Sequence, residues 1–95
     1  MLFAELLIGA IFYNSSSELT VPAIKLISVC RMYSEEYIVK IINDLISYGL
    51  VIPRIRGTAG FTYSITEFGL YYYDKLSEEN RDINAMMIQI GEELK

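Results

Sequence analysis

The stretch Ser34–Gly69, SEEYIVKIINDLISYGLVIPRIRGTAGFTYSITEFG, constrains the fold more than any other part of the chain. Ser34 is a helix-capping residue, and Glu35 and Glu36 follow it where the helix dipole favours negative charge. Ile38, Ile41, Ile42 and Leu45 recur at helical spacing and make one apolar stripe. Glu36, Lys40, Asn43 and Ser47 form a polar stripe opposite. Gly49 supplies a left-handed stop. The period then changes from helical to two. Leu50 to Arg56 reads as a strand, with Pro53 arguing for an edge position. Gly57-Thr58-Ala59-Gly60 reads as a hairpin turn, and Phe61, Tyr63 and Ile65 alternate with Thr62 and Ser64. Thr66 can cap another helix.

The flanks predict more helix. Leu2 to Tyr13 is apolar, with no glycine before Gly9 and no proline, and reads as a buried first helix; Asn14 to Ser17, NSSS, reads as a loop. The opening run has no basic leader segment, is interrupted by Glu5, and is shorter than the ~20 residues of a membrane span. A cytoplasmic protein with no membrane partner is expected. Thr20 and Pro22 predict the start of a second helix running to Arg31 or Met32, with Ile24, Ile27 and Val29 toward the core. Glu67 to Lys95 predicts one helix, or two broken near Ser77–Asp82. Leu76, Ile83 and Ile90 are seven apart, and Met87 and Leu94 each follow by four. That is the spacing of a short coiled-coil seam. Tyr71, Tyr72 and Tyr73 cannot share one helix face, so part of the run should pack on the domain and part on a partner.

Three helices, a hairpin and a further helix follow the order of a winged helix-turn-helix. The stretch from Ser34 to Gly69 resembles the recognition helix and wing of small regulators such as the PadR and MarR families. Their pattern is a capped helix with a leucine, a Gly-Leu pair, a strand with a basic end, a wing, and an aromatic-x-Leu-Thr-x-x-Gly close. Leu45, Gly49-Leu50, Arg54 and Tyr63–Gly69 fill those places here. The turn before Ser34, CRMYS, lacks the glycine usual in these families, and the recognition helix opens on two acids. Stand-alone winged helices of this size also resemble proteins of archaea and of their viruses and plasmids, and abundant isoleucine and tyrosine fit that source. The resemblance implies a mostly α (α+β) fold: a winged helix-turn-helix domain over residues 1–76 with a two-stranded wing, and a C-terminal dimerisation helix over 77–95, as one structural unit.

Composition narrows the function. There is no histidine, Cys30 is the single cysteine, and the six glycines are scattered. Histidine-based zinc sites, histidine general bases and phosphate-cradling loops are therefore excluded, no cofactor is expected, and an enzyme is not expected. The net charge is −4, but it is unevenly distributed. Residues 1–24 carry −2, residues 25–66 carry +2 and residues 67–95 carry −4. Positive balance falls on the segment that would meet DNA. No acid occurs from Leu45 through Thr66, so Arg54 and Arg56 are expected to be unpaired; they share strand parity and flank the turn.

The candidate DNA-binding residues are Arg31, Ser34, Glu36, Tyr37, Lys40, Asn43, Arg54, Arg56 and Thr58. In the recognition helix, Lys40 can meet a phosphate or guanine, Asn43 an adenine, and Glu36 a cytosine amine. Arg31 is placed for a phosphate. The wing arginines would lie over the backbone or in the minor groove. The expected dimer interface is Tyr72, Leu76, Ile83, Met86, Met87, Ile90 and Leu94, with help from the first helix. The function expected is sequence-specific binding of double-stranded DNA by a homodimeric transcriptional regulator. The alternative is a winged helix for protein interaction or nucleoprotein assembly, such as plasmid partition, with no regulatory DNA binding of its own. No residue pattern points to a small-molecule effector.

Overall fold

The computed structural model describes Met1–Lys95, the side chain of Ala59 excepted. Helices α1 (Phe3–Asn14), α2 (Val21–Lys25) and α3 (Glu35–Ser47) precede strands β1 (Val51–Ile55) and β2 (Phe61–Ile65). Helices α4 (Glu67–Glu79) and α5 (Arg81–Glu93) close the chain. The architecture is mostly helical with one two-stranded antiparallel sheet, an α+β arrangement. No helix among the described residues is long and apolar enough to cross a membrane.

α1 is apolar nearly all round because it is the centre of the molecule: α3, α4, α5 and β2 all pack on it. Ile8, Ile11 and Phe12 join Ile38, Ile41, Ile42 and Leu45 of α3 in one core. Tyr73 of α4 crosses α1 at Gly9, where a Cβ would stand 1.7 Å from the tyrosine oxygen. The Tyr73 hydroxyl donates to the Glu5 carbonyl at 3.0 Å. Glu5 itself is buried but fully bonded. Its carboxylate accepts from the Leu2 amide at 2.9 Å and from the Tyr48 hydroxyl at 3.2 Å. Satisfying each oxygen is what makes a buried carboxylate tolerable.

α3 ends as its glycine requires. Gly49 has φ +79°, the Leu50 amide donates to the Leu45 carbonyl at 3.0 Å, and the Gly49 amide donates to Ile46 at 2.9 Å. These are the two bonds of a Schellman motif. Thr66 ties this end to the start of α4. Its hydroxyl donates to the Gly49 carbonyl at 2.7 Å and accepts from the Gly69 amide at 2.9 Å.

Two expectations need correction: the extent of the second helix and the continuity of the C-terminal seam. The second helix stops at Lys25, because Ile27 is extended (ψ 131°) and a single 3-10 turn, Ser28–Cys30, follows. β-branched Ile27 and Val29 lower the helical preference there. The Lys25 ammonium donates to the Tyr33 carbonyl at 2.7 Å, and Glu93 of α5 accepts from the Ser28 amide at 3.2 Å. Of the two arrangements expected for the C-terminal segment, the structure has two helices, with the break inside Ser77–Asp82. Asn80 is extended, ends α4 and caps α5, accepting from the Asp82 and Ile83 amides at 2.9 and 3.1 Å. A boundary between residues 76 and 77 therefore falls inside α4. The heptad seam is also broken, since Leu76 and Ile83 lie on different helices. α5 folds back on α1, where the Asn14 amide donates to the Met87 carbonyl at 3.1 Å. Met87 and Ile90 are thereby buried in the chain's own core, and Leu76 and Leu94 pack half-buried against it. Finally, a single bridge joins Leu19 to Tyr63, with reciprocal amide–carbonyl bonds of 2.9 and 2.8 Å, along the other edge of β2.

Candidate nucleic-acid interface

α3 brings together most of the candidate residues. The Ser34 hydroxyl accepts from the Tyr37 amide at 3.1 Å, so it is used as the helix cap. Glu36, Lys40 and Asn43 are exposed on the side away from the core stripe. Lys40 lies 3.4 Å from Asp44 one turn on. At this exposure the pair contributes little and is readily exchanged for another anion. Tyr37 is half-buried, its ring 5.1 Å from that of Tyr33, so it supports α3 more than it reaches outward. Arg31 is exposed just before α3 and borders a shallow recess with Pro22, Lys25, Leu26 and Glu35. Leu26 and Met32 beside it are both strongly exposed.

The hairpin carries the rest. Its register pairs Arg54 with Thr62 and Ile55 with Phe61. Gly57 and Gly60 both have positive φ, and the Arg56 amide donates to the Gly60 carbonyl at 2.9 Å, closing a one-turn 3-10 loop that holds Thr58 exposed. Alternation puts Arg54 and Arg56 on one side of β1 and Val51, Pro53 and Ile55 on the other. The first side meets the loop after α1. Arg54 borders a polar recess with Ser15, Ser16, Ser17, Glu18 and Ser64.

Arg56 is paired, contrary to the expectation for both arginines. Its guanidinium donates through two nitrogens to the two carboxylate oxygens of Glu18, with Nε at 2.9 Å. The Thr62 hydroxyl also donates to Glu18. The bonds from Arg56 and Thr62, with the positive charge of Arg54 nearby, hold the Glu18 carboxyl at about 2, well below the usual carboxylate range. The acid comes from 38 residues upstream. It lies far outside the acid-free run Leu45–Thr66, so the sequence around the arginines gives no sign of it. One carboxylate between two guanidiniums leaves the group with a charge of +1. Among the described residues, Arg31 and Arg54 are candidates with no carboxylate within ion-pair distance.

Ile55 and Phe61 form an exposed apolar pair directly opposite one another near the hairpin's end. Alternation along β2 could have revealed this pair, since the same stripe that runs through buried Val51 and half-buried Ile65 continues outward to it. Cys30 is buried, and burial pushes its thiol up to about 11, which disfavours the thiolate form.

No family model, no curated protein and no solved structure matches this chain.

Proposed function

We propose that the chain is a winged helix-turn-helix protein that binds double-stranded DNA as a homodimer and acts as a transcriptional regulator. The observation that carries the reading is the two-sidedness of α3. Ile38, Ile41, Ile42 and Leu45 are fully buried, while Glu36, Lys40 and Asn43 stand in solvent on a rigid, capped helix. A helix held this way can enter a major groove ≈12 Å wide without loss of core. The hairpin that follows it supplies Arg54 and Arg56 as phosphate or minor-groove contacts. The Leu19–Tyr63 bridge supports the reading too, since it adds a third strand position to the sheet behind the wing.

The test is titration of a fluorescent duplex, taken from the DNA upstream of the chain's own gene, with wild type and a Lys40→Ala/Asn43→Ala variant. The reading expects wild-type binding and roughly a 10-fold or greater loss in the variant, as for removal of one or two base or phosphate contacts. Equal affinity would remove α3 from the interface. A second reading, protein interaction or nucleoprotein assembly, draws support from exposed Leu26 after α2 and Met32 just before α3, and from neutralisation of Arg56 by Glu18. It expects no duplex binding even at low salt.

A further inference from the structure

Met87 and Ile90 are taken into the core, so of the α5 seam positions the half-buried Ile83, Met86 and Leu94 remain to meet a partner. An open apolar face adjoins Ile83 and Met86. Met1, Phe3, Tyr48, Phe68 and Tyr71 are each between 48% and 64% exposed. Met1, Tyr48, Leu50, Phe68 and Tyr72 line a groove of about 440 Å³ between the start of α1, the end of α3 and α4. Phe3, at the start of α1, borders a second recess of about 520 Å³ with Leu6, Ile83 and Met86. Tyr71 sits three positions from Phe68 on α4, on the same helix face.

We infer that this face, built by the start of α1 and the outer side of α4, is where a second copy of the chain docks. The inference rests on the homodimer of the proposed function, not on its DNA binding. Area supports it: five large side chains, each about half exposed, offer roughly 500–600 Å² when full burial of each is ~150–250 Å². Half-buried Tyr72, Ile83 and Met86 bring the face toward the ~800 Å² per partner of a standard interface. Shape supports it as well. A two-fold interface must be self-complementary, and this face carries exposed Phe68 at one recess and exposed Phe3 at another, aromatic rings and recesses that a second copy can fill. Charge is depleted, as in interface cores: of the residues lining the two recesses, only Asp82 carries a charged side chain. The tyrosine run then divides its work, with Tyr73 inside the domain, Tyr72 at the groove and Tyr71 toward the partner.

Molar mass in solution tests this without DNA, by light scattering across about 1–100 μM. Wild type should reach twice the 10.9 kDa of one chain. Phe3→Glu/Phe68→Glu should stay at the single-chain mass with its helical circular dichroism intact. Tyr71→Lys alters only an outward side chain and keeps the test valid if the double variant unfolds; it should weaken dimerisation at least 10-fold. Ile88→Glu, on the exposed side of α5, should leave the dimer unchanged. A wild type that remains a single chain at 100 μM overturns both the homodimer and this face. A folded Tyr71→Lys or double variant that dimerises like wild type overturns the face alone.

Discussion

Replacing Gly9 by alanine sets two effects of opposite sign against each other. In an exposed helix interior the change stabilises by about 1 kcal/mol. Here the new Cβ would lie 1.7 Å from the Tyr73 oxygen, 2.1 Å from Cζ and 2.8 Å from Cε2. Tyr73 is fully buried and anchored to the Glu5 carbonyl, so its ring has nowhere to swing. Overpacking of this kind costs up to ~3 kcal/mol, and displacing the hydroxyl forfeits another ~1 kcal/mol of hydrogen bonding. The net expectation is destabilisation by about 3 kcal/mol, after the helix gain is subtracted. For a domain of this size that lowers the melting temperature by roughly 12–24 °C. Thermal denaturation followed by circular dichroism, at a fixed protein concentration, reads it. In a Tyr73→Phe background the nearest atom and the anchor are both gone. The same glycine substitution should then cost at least ~0.5 kcal/mol less, a coupling typical of touching residues. A Gly9→Ala variant as stable as wild type would refute the packing of α4 across α1.

Other expectations concern the polar groups and the caps. The Glu18 carboxyl titrates at about 2 in the folded chain, below its unfolded value of 4.5. The stabilisation it gives is therefore complete above about pH 4.5 and is lost as pH falls toward 2. Carboxylate NMR should find that midpoint and see it rise toward the ordinary range in Arg56→Ala. Cys30, raised to about 11 by burial, should resist a thiol-specific disulfide reagent at pH 8 in the folded chain and react at once in denaturant. Asn80→Ala removes the acceptor for two amides at the start of α5 and should cost about 1 kcal/mol in chemical denaturation.

Local signals carried much of this fold into view from the sequence. Ser34, Gly49 and Thr66 act through bonds to residues close in the chain, and the Ile38–Leu45 stripe has a strong period. The hairpin followed from its glycines and its alternation. What was not legible depends on distance along the chain. Glu18 reaches Arg56 across 38 residues, and Leu19 bridges Tyr63 across a similar span. The heptad spacing of Leu76, Ile83 and Ile90 was real but does not run along one helix. Asn80 interrupts the helix between the first two, and α5 packs Met87 and Ile90 into the core against α1 of its own chain. Exposure of Phe3 and Phe68 could not be separated from core packing by pattern, because an apolar stretch reads alike whether one's own chain or a neighbour covers it.

The central claim is that α3 and the hairpin together face DNA. It is tested most directly by following the backbone amides by NMR while a short duplex is added at low salt. The account predicts shifts concentrated at Arg31, Glu36, Lys40 and Asn43 and across Arg54–Thr58, with α5 unmoved, and their reversal as salt rises. No shifts at all, or shifts gathered around Met1, Tyr48 and Phe68 instead, would contradict it.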